Sequence, residues 1–170
     1  DPSNPDFNLS FSFDTFLLNP QAPLITKLLP PGKSYQFMAS LSATGSLRGP
    51  LEHLSAPFSV EMTDGQITDP AGKFKITGLQ TRITSRNILD AETRPSQPLR
   101  VVRATMGDVS ISNIFLNYRL ENPPAIFIEQ GDLSWCGGHL RLYSTRLISE
   151  QDLDVTLYCE RLKLDDVLRQ

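Results

Sequence analysis

Phe7-Asn8-Leu9-Ser10-Phe11-Ser12-Phe13 alternates without exception, with Phe and Leu at odd positions and Asn and Ser at even ones. Successive side chains of a strand point to opposite faces, so this stretch reads as a strand with one apolar and one wet side. The same period of two returns along the chain. Tyr35, Phe37, Ala39, Leu41 and Ala43 oppose Gln36, Ser40, Ser42 and Thr44, and Phe58, Val60 and Met62 oppose Ser59, Glu61 and Thr63. Asp64-Gly65 is a turn pair expected to close the latter strand. Between the first two strands, Leu24, Ile25, Leu28 and Leu29 fall at helical spacing before the stop Pro30-Pro31-Gly32, which predicts a short helix near residues 22–30.

Leu79, Thr81 and Ile83 continue the alternation, and a polar, Pro-bearing connection follows from Ser85 to Pro98, the one long loop expected. Its Ile88-Leu89 would pack it down or form a short helix. Leu99 to Ala104 reads as a strand, and Met106-Gly107-Asp108 as a turn into Val109 and Ile111. The apolar positions then shift from odd to even at Ile114, Leu116, Tyr118 and Leu120. A turn or a bulge near Asn113 would absorb the slip, and a turn is expected because a hairpin changes phase freely. Four more half-apolar strands follow: Ile126 and Ile128; Leu133 and Trp135; Leu140 and Leu142; Leu153, Val155, Leu157 and Cys159. Their separators are Gly131-Asp132, Gly137-Gly138 and Ser149 to Asp152. Turn signals every eight to twelve residues are the cadence of antiparallel hairpins. Asp165 to Gln170 reads as a helix capped by Asp165.

Composition narrows the classes. With 16 basic and 19 acidic residues the net charge is −3, and neither half of the chain is a basic arm, which argues against a nucleic-acid partner. The longest apolar run, about Ala125 to Ile128, is far short of a membrane span, and the N-terminus lacks the pattern of a signal peptide. Cys136 and Cys159 are compatible with one bridge or with two free thiols.

Residues with chemical potential have ordinary explanations. His53 and His139 have no Cys, Asp or Glu at ligand spacing, so no metal site is expected. Ser134-Trp135-Cys136-Gly137-Gly138 lacks the strand-to-helix elbow of a nucleophile and reads as a hairpin turn. Asp64, Asp69, Asp152, Asp154, Asp165 and Asp166 sit where turns and caps favour Asp, so no glycosidase-like carboxylate pair is placed. Asn8-Leu9-Ser10 matches a glycosylation pattern by chance on a strand. Arg82, Arg100, Arg103, Arg119, Arg141, Arg146 and Arg161 include several on polar strand faces, where they would meet anionic head groups or form cross-strand pairs. No enzyme activity, catalytic residue or cofactor is predicted.

The dominant feature is therefore a set of strands that each present one apolar face. Two sheets packed together would seal that face in a sandwich, whereas one curved sheet would leave it as a groove for acyl chains. Alternation does not separate the two.

The serial order of the motifs resembles the YdbH-like, or dicarboxylate transport domain, family of AsmA-like bacterial envelope proteins, a group that also holds TamB and YhdP. The resemblance runs from about Lys33 to Gln170. It rests on Ala43 to Gly49 leading to Phe58 to Gly65, then Ile76 to Leu79, Pro95 to Leu99, Gly107-Asp108-Val109, the Trp135 to Gly138 turn, and Leu157 to Leu168. It implies a mainly β segment, a curved antiparallel sheet or taco-like β-groove over residues 33–170, and with the strand and short helix read from residues 1–32 the whole is expected to be mainly β with one or two short helices. The implied function is carriage of phospholipid, or another acyl-chain ligand, between inner and outer membranes. The implied location is the periplasm, with an inner-membrane anchor outside this chain, no transmembrane segment within it, and other envelope proteins as partners. The lining expected on this basis comprises Val109, Ile111, Ile126, Ile128, Leu133, Trp135, Leu140, Leu142, Val155 and Leu157. The rival expectation is a closed β-sandwich module that aids outer-membrane biogenesis.

Overall fold

Alternating stretches pair with one another in a computed structural model that describes residues 6–18, 35–50, 53–87, 93–121, 125–147 and 155–168. The strands are β1 (Asp6–Leu18), β2 (Gln36–Pro50), β3 (Phe58–Thr68), β4 (Phe74–Ser85), β5 (Gln97–Met106), β6 (Val109–Glu121), β7 (Ala125–Trp135), β8 (Gly138–Leu147) and β9 (Leu157–Glu160), followed by helix α1 (Leu164–Leu168). The nine strands form one antiparallel sheet in sequence order. The sheet is curved and open rather than closed into a barrel. Each strand packs chiefly on its chain neighbours, so the architecture is nearly one-dimensional. Among the described residues there is no second sheet, and the sandwich alternative has no partner layer there.

Cross-strand partners share a face, so the register assigns every side chain. Phe13 lies opposite Ala43, Ala43 opposite Val60, and Val60 opposite Ile83. Leu99 lies opposite Leu116, Leu116 opposite Gly131, Gly131 opposite Leu142, and Leu142 opposite Leu157. One apolar face thus crosses the whole sheet, and the strand side chains that are fully buried point to it.

Bulges keep that face continuous. In β3 the apolar positions change from even (Met62) to odd (Ile67), and Asp64 absorbs the extra residue at φ 54°. Asp64-Gly65 is therefore a bulge inside a strand and not the expected closing turn. In β6 the change from Ile111 to Ile114 is absorbed by Asn113 at φ 51°, within a strand that runs unbroken from Val109 to Glu121. The turn expected there is a bulge: one residue in the left-handed region rotates the strand back into phase at less cost than a new reversal. Gly78 (φ 65°) does the same in β4 and Ser144 (φ 45°) in β8. The irregularities of β3, β4 and β6 meet across Val101 and Val102 of β5 and form one line over four strands. Bulges bend strands and increase twist, so this line is a physical source of the curvature.

Other expectations are corrected. Gly131-Asp132 is no separator, because β7 runs through it: Gly131 faces Leu116, and a Cβ there would lie 2.6 Å from Leu116 Cδ2. Val155 lies before β9, outside any strand. The hairpin between β7 and β8 turns on Cys136 and Gly137, both at positive φ as a two-residue primed turn requires. Asp165 is inside the first turn of α1, and amides of that turn donate to Lys163 O, so it is not the cap. Both cysteines are free thiols, Cys136 buried and Cys159 exposed. The helix expected near 22–30, Ile88-Leu89 and Leu153 lie outside the described residues. The Ser85–Pro98 connection is shorter than expected at both ends: Ser85 belongs to β4, while Gln97 and Pro98 belong to β5.

Candidate functional site

The apolar face runs across the whole sheet and has an inner gradient of burial. Of the ten residues predicted to line it, Val109, Ile111, Ile126, Ile128, Leu133, Trp135, Leu140, Leu142 and Leu157 point to this face. Ile128, Leu140 and Leu142 are buried; Val109, Ile111, Leu133 and Trp135 are half-buried; Ile126 and Leu157 are exposed. Val155 is half-buried but is not held in the ladder. No large side chain of the described residues is completely enclosed. That pattern suits a curved single layer, in which flanking side chains shield one another and nothing among the described residues seals the face.

The face extends well beyond those ten positions. Phe37, Leu41, Met62, Ile76, Leu99 and Leu116 share it, and the alternation of β2, β3 and β5 carried that signal. The polar side chains of the face, Gln97, Thr81 and Tyr118, are satisfied by neighbouring groups. Thr84 N and Oγ1 donate to Gln97 Oε1 at 2.7 and 3.2 Å, and Gln97 Nε2 donates to the carbonyls of Arg94 and Pro95. Thr81 Oγ1 donates to Pro98 O at 2.8 Å and lies 3.2 Å from Tyr118 Oη. No buried side-chain polar atom among the described residues lacks a partner.

The opposite face is polar, and its arginines divide into two sets. Over β6 to β9 they are paired: Arg119 with Glu121 (2.7 Å) and Glu129 (3.6 Å), Arg146 with Glu121 (2.9 Å), and Arg141 with Asp132 (3.3 Å) and Glu160 (3.7 Å). Phe127 lies between Arg119 and Arg146 in the register, and their guanidinium carbons stand 4.5 and 5.6 Å from its ring centre. The hydrogen bond from Arg119, aided by the charge of Arg146, holds the Glu121 carboxyl below its usual range. Over β4 and β5, Arg82, Arg100 and Arg103 have no such carboxylate partners among the described residues. Burial pushes the Cys136 thiol up, and Asp166 adds to the effect, so it is a poor nucleophile.

Comparison with protein-family models, curated proteins and solved structures finds no match to this chain. Among the described residues no group of His, Cys, Asp and Glu side chains could hold a metal ion, and no helix is long and apolar enough to cross a membrane. His53 is exposed beside β2 and His139 is exposed on the polar face of β8. Ser134 lies opposite His139 in the register, and its Oγ accepts from Asn113 Nδ2 at 3.4 Å. The described strands present a broad apolar surface on one side of the sheet and a mainly polar one on the other.

Proposed function

We propose that this chain is a segment of a bridge-like envelope protein that carries phospholipid acyl chains along its apolar face. The observation that carries the reading is the phase-corrected apolar face that crosses nine strands with no second sheet over it among the described residues. An acyl chain moved from water onto such a face gains about 0.8 kcal/mol per CH₂, and this gain needs no specific side chain. The periplasmic setting, the membranes connected and the envelope partners rest on the motif order from Lys33 to Gln170.

A photoreactive residue tests the reading. Placed at Ile128 or Leu133 it should label phospholipid in cells, and placed at Gln130, on the opposite face of the same strand, it should not. Lipid extraction and mass spectrometry of the purified chain should recover phospholipid. Equal labelling from both faces, or a chain purified free of lipid that never labels from Ile128, would overturn it.

A further inference from the structure

We infer that the polar face of β4 and β5 is a docking site for an extended acidic segment of a partner protein, one that also carries apolar side chains. The first observation is an electrostatic imbalance. Lys75, Arg82, Arg100 and Arg103 all point to this face, and among the described residues none has a carboxylate within ion-pair distance. Glu61 lies opposite Arg82 in the register, but the Arg82 Nε donates instead to Ser59 Oγ at 3.4 Å. Three strands away the same residue type on the same face is neutralised by Asp and Glu. Unpaired cations on neighbouring strands raise the local potential and favour an anionic guest.

The second observation is a shape. Where the bulge line crosses β4, β5 and β6 the polar face has a hollow of about 470 Å³, with Gln80, Arg100, Val102, Asn113 and Phe115 around it. Val102 is 61% exposed, an apolar side chain left in water beside the unpaired arginines. The Arg100 guanidinium carbon stands 5.5 Å from the Phe115 ring centre. Gly78 makes room, since a Cβ there would lie 2.4 Å from Val102 Cγ2. Beyond Gln80 and Arg100, which line both, a second hollow of about 260 Å³ is bordered by Arg82, Glu61 and Pro98. A flat membrane surface would use the charges and leave the larger hollow empty. A peptide with alternating acidic and apolar side chains uses both: carboxylates meet Arg82, Arg100 and Arg103, and an apolar side chain covers Val102 and Phe115.

The test is an array of peptides of about ten residues, alternating Asp or Glu with each apolar residue, probed with the labelled full chain. Lys-for-Glu peptides and phosphatidylglycerol vesicles serve as comparators. Retention of acidic members should fall about tenfold or more in the triple variant Arg82→Gln, Arg100→Gln, Arg103→Gln and in high salt, as expected for contacts dominated by charge. It should also fall in Val102→Ser, while Arg141→Gln, whose arginine is already paired, should change it less than about twofold. Thermal melts establish that each variant is folded. Failure to retain any acidic peptide, equal retention by the triple variant, or binding to vesicles with none to peptides would overturn the inference, the last in favour of a membrane surface.

Discussion

The outer strand β1 and the inner strand β8 carry the same kind of side chain on the apolar face in very different surroundings. On β1, Leu9 and Phe13 are 58% and 56% exposed; on β8, Leu140 and Leu142 are 8% and 9% exposed. Neither strand is covered by another sheet among the described residues, so the difference is lateral. β8 lies between β7 and β9, and Lys163, just ahead of α1, bonds back to the turn through its amide, which donates to Cys136 O at 2.9 Å. Among the described residues β1 has a strand on one side only. In a single-layer sheet, burial comes from flanking strands and curvature, and the last strand with a neighbour on only one side stays wet however apolar it is.

The sharpest way to break the comparison is at the β8–β9 contact. Gly138 faces backbone: a Cβ there would lie 2.5 Å from Glu160 O and 2.8 Å from Arg161 C and Leu162 N. None of these atoms is a flexible side-chain end, so Gly138→Ala must push β9 away from β8. A cost of about 3 kcal/mol is expected, at the upper end for overpacking. Denaturant unfolding reads the cost, and hydrogen exchange should show lost protection at Leu157 to Glu160. Unchanged protection there would mean that β9 contributes nothing to the burial of β8.

Truncation on the two strands tests the gradient directly. Leu142→Ala removes a buried side chain flanked by Gly131 and Leu157, and should cost about 2–3 kcal/mol. Phe13→Ala removes a larger side chain that already spends half its surface in water, and should cost under about 1 kcal/mol. Equal losses in parallel unfolding experiments would show that something outside the sheet shields β1 as well.

The face itself was legible in the sequence; its continuity was not. Alternation marks β1 and β2 outright, because neither Phe7 to Phe13 nor Phe37 to Ala43 changes phase. Elsewhere the signal breaks wherever a bulge re-phases a strand; the bulges at Asp64-Gly65 and Asn113, and Gly131-Asp132 in regular register, all have the local composition of hairpin turns. What separates a bulge from a turn is whether the flanking segments find partners on both sides, which is a property of the sheet and not of the local residues. That the apolar positions of the C-terminal half share one face was readable for the same reason, since each belongs to a run whose two ends agree in phase. Val155 precedes β9, whose pairing with β8 ends at Leu157 opposite Leu142 although β8 itself runs on to Leu147. The division of the arginines could not be read at all: Arg141 and Arg103 sit in similar local sequence, and only the register sets one beside Asp132 and Glu160 and the other beside Thr77 and Ser112.

The smallest expected effect completes the comparison from the β1 side. Gly45 lies opposite Phe11, whose ring folds across it so closely that a Cβ would lie 2.2 Å from Phe11 Cζ. By distance alone this clash is worse than the one at Gly138, yet the atoms differ in what they can do. The Phe11 ring is the far end of a side chain on the outermost strand, 42% exposed, and a rotation about χ1 carries it into solvent without moving any backbone. Gly45→Ala should therefore change stability by less than about 1 kcal/mol, because the higher strand preference of Ala over Gly offsets part of the packing that the displaced ring gives up. The same substitution at two glycines of one sheet would then differ by roughly threefold in cost, in the order opposite to their closest approaches. A Gly45→Ala loss as large as that of Gly138→Ala would mean that Phe11 is held as firmly as a backbone atom, and that β1 is a packed strand instead of a wet edge.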